Sequence, residues 1–123
     1  MFLFANLADP DIPEIDLAFA LSATAFDAAG NFRRMKEIVN YIIRRYGQDK
    51  IRYSVLIFGQ GARIRIGFQD LIPNSDRLAA YISTLSKYRG GPRMDLALAE
   101  ARKLFVNGGG TRPGARKVSV LFV

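Results

Sequence analysis

The stretch Ile15–Phe26, IDLAFALSATAF, limits the folds open to this chain more than any other. Its first half is an apolar run of strand length, with Asp16 near the start and Ser22 at the end. Residues 23–30 are small and turn-prone, and they lead into a strongly periodic segment at 31–46. A buried strand, a tight loop and a covering helix form the opening unit of a doubly wound α/β domain. In that architecture ligands are met in the loop at the carboxyl end of the strand, which directs attention to residues 22–30.

The rest of the chain continues the pattern. Asn31 is expected to cap a helix in which Phe32, Met35, Ile38, Val39, Ile42, Ile43 and Tyr46 share the inner face, while Arg33, Arg34, Lys36 and Arg44 point outward. Gly47 supplies a stop. Residues 51–58, IRYSVLIF, read as a second strand. After the turn Gly59-Gln60-Gly61, residues 62–68 read as a third strand, antiparallel to the second and guarded at the sheet edge by Arg63 and Arg65. Asn74-Ser75 is expected to cap a helix reaching about Lys87, which buries Leu78, Ile82 and Leu85. A further helix spans about 94–105, burying Leu98, Ala101, Leu104 and Phe105, and 117–123 is a last buried strand. The expected strand order is 3-2-1-4 with helices on both faces.

Composition narrows the functions. Half of the 123 residues are apolar, so the chain is globular, and no run approaches the roughly 20 residues of a membrane span. Residues 1–13 have no positive n-region and read as a lead-in, leaving 14–123 as one domain. Cysteine and histidine are both absent, which removes thiolate metal sites, disulfides and the commonest general base. No Ser–His, Cys–His or paired-carboxylate constellation can be assembled, so an enzyme is not expected. Gly108-Gly109-Gly110-Thr111 lacks the Gly-Lys-Ser/Thr ending of a phosphate loop, and Gly59-Gln60-Gly61 joins two strands rather than a strand and a helix. The charge is lopsided, since all 18 basic residues lie in 31–123 with only six of the 11 acidic ones. Arg33, Arg34, Lys36, Arg44 and Arg45 along one helix, and Lys87, Arg89 and Arg93 around one loop region, are candidate polyanion contacts. A solubilising surface accounts for the same residues.

These pieces resemble, in order and at the usual spacing, a von Willebrand factor type A domain of the matrilin and collagen VI kind. The matching segments are IDLAFALSATAF, NFRRMKEIVNYII, IRYSVLIFGQGARIRIGF, LIPNSDRLAAYISTLSKYRGG, LALAEARKLF and GARKVSVLFV. The resemblance implies a Rossmann-like three-layer sandwich, a non-enzymatic adhesion or matrix role and secretion. It also implies that the chain stops before the family's last strands and helices, leaving the edge of 117–123 free for self-association or for a completing chain. The family holds Mg²⁺ or Mn²⁺ at an Asp-x-Ser-x-Ser motif, a loop Thr and a later Asp, oxygen donors suited to a hard cation. Here those first positions are Ser22, Thr24 and Phe26, and the nearest equivalent of the Thr is Pro92. The resemblance therefore implies a degenerate metal site and no cofactor. Asp27 and Asp95 are displaced carboxylates that could rebuild one, although a turn residue and a helix-start residue explain them as well. The expected partner is a protein or matrix ligand, with sulfated polysaccharide as a candidate and no membrane insertion. The alternatives are a nucleotide- or phosphate-binding doubly wound domain and a fragment completed by another chain.

Overall fold

Large and small side chains alternate along the first strand, and that alternation sets the thickness of the two helical layers. The computed structural model describes residues 14–24, 30–70, 72–87, 90–106 and 110–122. Phe26, Asp27 and Arg89, the lead-in 1–13, most of the glycine run and Val123 lie outside these residues. Strand β1, Ile15–Ser22, is buried on both faces. Leu17, Phe19 and Leu21 enter one core cluster and Ala18 and Ala20 the other. The bulky face packs under α1, Asn31–Tyr46, and α2, Ser75–Ser83. The alanine face receives α3, Met94–Phe105, through Ala97, Ala101 and Leu104.

Among the described residues four strands form one sheet in the order β3-β2-β1-β4, as the sequence implies. Strand β2, Ile51–Phe58, runs parallel to β1 with Ile15 opposite Ile51 and Ser22 opposite Phe58. Strand β4, Arg116–Phe122, runs parallel on the other side, and β3, Ala62–Ile66, is antiparallel to β2 at the edge. All three layers of a doubly wound α/β sandwich are present.

Several local expectations are corrected. Asn31 is the first helical residue rather than the cap. Gly30 occupies the N-cap in a left-handed conformation, φ 72°, and no side chain among the described residues caps there. Ile38 is 48% exposed, because the buried line of α1 runs through Phe32, Met35, Val39 and Ile43 and residue 38 lies about a third of a turn off it. Lys36 is half-buried rather than outward, and its Nζ donates to the carbonyls of Ser83 and Leu85 at 3.2 and 2.9 Å. It thereby satisfies the carbonyl of the last residue of α2 and one just beyond it, since α2 ends at Ser83 rather than near Lys87. The cap at Asn74 is as expected, with its side chain accepting from Asp76 N and Arg77 N. Leu98 is 59% exposed and Ala97 takes its place against the sheet, in the cluster that holds Ala18 and Ala20. Strand β4 is half-buried rather than buried, with Val118, Val120 and Phe122 packed on the bulky side and Leu121 on the other.

Strand β3 contains a register shift. Leu56 faces Ile64 and Val55 faces Ile66, so Arg65 is an extra residue with no partner on β2. A bulge of this kind breaks the period-two alternation. Ile64 consequently packs in the α3-side cluster while Ile66, two residues on, is buried in the α1-side cluster. The expected strand 62–68 stops at Ile66.

Candidate functional site

The carboxyl ends of β1 and β2 gather three loops. The ladder between the strands continues one residue past β1, where Ala23 N donates to Phe58 O at 2.8 Å. Gly59 N then donates to Gly61 O, and Gly59 O accepts from Arg93 N at 2.8 Å, which ties the turn after β2 to the start of α3. Gly90 approaches the same turn so closely that a Cβ there would lie 2.6 Å from Gln60 Cβ, and its φ of +78° also favours glycine. Residues 22–24, 59–61 and 90–93 thus form one end of the sheet, the place where doubly wound folds meet ligands.

The chemistry presented there is modest. Ser22 and Thr24 are half-buried and Pro92 is exposed. Two neutral hydroxyls and a proline ring carry no formal charge and no carboxylate oxygen. Asp95, in the first turn of α3, is held by Arg93, with Nε to Oδ1 at 3.0 Å and Nη2 to Oδ2 at 2.8 Å. The hydrogen bonds from Arg93 hold the Asp95 carboxyl below its ordinary range, so it stays ionised with its charge already matched. No group of three or more Asp, Glu, His or Cys side chains suited to a metal occurs among the described residues.

The structure distributes the candidate polyanion contacts unevenly. Arg33 lies 3.7 Å from Glu37 on the exposed side of α1, and Arg34 and Arg45 are exposed nearby, Arg45 over the Tyr46 ring. Arg44 pairs with Asp76 at 3.3 Å across α1 and α2. Lys36 is committed to backbone carbonyls, and burial lowers its pKa from the ordinary value. Lys87 belongs elsewhere, in a cleft with Arg63 and Arg65 at the β3 edge.

At the opposite end of β1 stands a cluster that pattern reading did not single out. Asp16 is fully buried, and Arg112 Nε donates to its Oδ1 at 2.9 Å while Arg112 N donates to Oδ2 at 2.7 Å. The same guanidinium donates to Glu14 at 2.7 Å and to the carbonyls of Ile15 and Lys50 at 2.8 and 3.3 Å. Lys117 Nζ lies 3.6 Å from Asp16 Oδ2 and donates to Arg112 O and Ala115 O. The available signal was an acidic residue inside an apolar run, which must find a cation when the strand is buried.

Comparison with known proteins agrees with this geometry. The family model described as von Willebrand factor type A domain matches residues 16–123. Among solved structures, proximal thread matrix protein 1 from the mussel byssus, with a zinc-occupied MIDAS motif, is similar with a TM-score of 0.75 and 24% identity. That alignment covers 89% of this chain and 28% of the mussel chain. A second crystal form of the mussel protein gives a TM-score of 0.73 at 22% identity, over the same shares. This chain therefore corresponds to under a third of the length of those neighbours. With the family match spanning both β1 and β4, the chain belongs to the von Willebrand factor type A domain family.

Proposed function

We propose that this chain is a non-enzymatic binding module of an extracellular matrix or adhesion protein, with residues 14–123 as its domain, and that it engages a protein or matrix ligand without a bridging divalent metal. The family membership and the matrix origin of the mussel neighbours support the coarse reading. The observation that carries the metal-free part is the donor set at the carboxyl end of the sheet. Ser22 and Thr24 offer neutral hydroxyls, the Pro92 side chain offers no donor atom, and Asp95 is already paired with Arg93. Dehydrating Mg²⁺ or Mn²⁺ needs carboxylate oxygens, so these residues do not fit the family's cation.

A thermal-shift titration tests the point. A ligand that binds the native state at about 100 times its Kd adds about 2.7 kcal/mol of stability, a rise of several degrees in Tm. Millimolar Mg²⁺, Mn²⁺ or Ca²⁺ should leave Tm unchanged. A rise of several degrees that disappears in Ser22→Ala or Thr24→Ala refutes the metal-free reading.

A further inference from the structure

Beside β3 lies a cleft of about 600 Å³, lined by Ile57, Gln60, Gly61, Arg63, Arg65, Thr84, Ser86 and Lys87. Three of these eight residues are cationic and none is acidic. The bulge accounts for part of the arrangement. Arg65 is the unpaired residue of the shifted register, so its side chain is re-aimed by the backbone kink rather than by strand alternation. Arg65 Nε is enclosed and has no hydrogen-bond partner among the described residues. A guanidinium N–H without an acceptor forfeits a charge-assisted hydrogen bond, so Arg65 stands beside the cleft with its charge incompletely matched.

The opposite wall is prepared in the same sense. The carboxyl end of α2 is the negative end of its dipole and by itself disfavours an anion. Here the carbonyls at that end are taken up: Ser83 O and, just beyond the helix, Leu85 O accept from Lys36 Nζ, and Tyr81 O accepts from Thr84 N and Thr84 Oγ1. Because the Thr84 hydroxyl proton is already donated, Thr84 offers lone pairs to a ligand hydroxyl, and the donors for an anion are Arg63, Arg65 and Lys87. The cleft is much larger than a single oxyanion, and Gln60 and Ser86 add groups that hydrogen-bond hydroxyls.

We propose that this cleft binds the sulfate or phosphate monoester group of a small polyhydroxylated molecule such as a sugar, with Arg65 at its centre. The cleft adjoins the carboxyl end of the sheet through Gln60 and Gly61, but its charged and hydroxyl residues, Arg63, Arg65, Thr84, Ser86 and Lys87, lie outside the loops described there and away from the α1 surface. The planar guanidinium of Arg65 meets two ester oxygens, Arg63 and Lys87 supply the remaining charge, and the polar wall meets the carrier.

Calorimetry and amide chemical-shift mapping on the 123-residue chain test this with a hexose 6-sulfate, the matching hexose 6-phosphate, inorganic sulfate and the uncharged hexose. The expected result is saturable binding of one or both esters, with shifts concentrated at Gln60–Arg65 and Thr84–Ser86 and none from the uncharged hexose. Preference between the two esters identifies the source of the group, and inorganic sulfate binding as well as either ester removes the sugar from the proposal. Arg65→Gln should weaken binding at least about tenfold, the weight of a hydrogen bond to a charged group, while Arg102→Gln on α3 leaves it unchanged. Should Arg65→Gln fail to fold, Arg63→Gln and Arg65→Lys carry the same expectation. No saturable binding up to tens of millimolar, shifts elsewhere on the surface, or equal losses with Arg102→Gln overturns the proposal.

Discussion

Replacing Arg112 with alanine separates the worth of a buried charge from that of an exposed one, because this single guanidinium serves both. Its partner Asp16 is 0% exposed, whereas the side chain of its other partner, Glu14, is 55% exposed. Arg112→Ala removes the 2.9 Å bond to Asp16 Oδ1 and the donors to Ile15 O and Lys50 O. It leaves a buried carboxylate with the backbone N–H of residue 112 and with Lys117 Nζ at 3.6 Å. Stripping one partner from a buried ion pair costs about 3–5 kcal/mol, and the remaining lysine places the expected loss near the lower end, about 3–4 kcal/mol. For a chain of this size each kcal/mol is worth about 4 °C, so Tm should fall by about 12–16 °C. Glu14→Gln removes only the exposed pair and should cost under about 1 kcal/mol. The double variant Asp16→Leu with Arg112→Met should recover most of the loss, since an apolar pair needs no neutralisation. Urea unfolding followed by circular dichroism, at unchanged slope, measures all three. An Arg112→Ala loss below 1 kcal/mol, or a Glu14→Gln loss equal to it, refutes the reasoning.

Gly110→Ala should destabilise by about 2 kcal/mol or more, because the new Cβ would stand 2.7 Å from Gln69 N and 2.9 Å from Phe68 C at a φ of +91°; urea unfolding reads it, and a neutral result refutes the close approach. Burial and the neighbouring Tyr46 push the Tyr53 phenol well above its ordinary value of 10.0, and its hydroxyl donates to Gly47 O at 2.8 Å. With the folded pKa raised, the stability that Tyr53 adds is complete below pH 10.0 and is lost as pH rises above it, so absorbance titration should show one tyrosine ionising only with unfolding. A heparin column should retain the chain through Arg33, Arg34 and Arg45 in a salt-sensitive way, and elution alongside a neutral protein of similar size would exclude that surface.

Strand order and most element boundaries were legible because they rest on periodicity, which is local. The runs 15–22, 31–46, 51–58 and 94–105 carry their apolar residues at strand or helix spacing, and the elements occupy those bounds. What escaped depended on neighbours. Leu98 follows the helical pattern as well as Ala97 does, and only the alanine face of β1 decides between them. Lys36 reads as a surface cation until α2 ends beside it. Arg63 and Arg65 look like edge guards, since no spacing rule announces a bulge between Ile64 and Ile66. At the carboxyl end of the sheet the residue types were readable, but the Arg93–Asp95 pairing that matches the charge there was not.

The distance along the chain between Asp16 and Arg112 has a consequence for timing. The two are 96 positions apart, and β1 lies between β2 and β4 in the sheet. On a ribosome, the central strand emerges well before its charge partner. Until the segment around Arg112 arrives, burying β1 would mean burying a lone carboxylate, which is strongly unfavourable. Early pairing of β1 with β2 is thereby kept provisional. At about 5–20 residues per second, those 96 positions correspond to roughly 5–20 s of synthesis during which the sheet stays open to rearrangement. A closure this non-local slows the folding step itself. It also makes β4, synthesised long after β1, the strand whose flanking segment locks β1 in place.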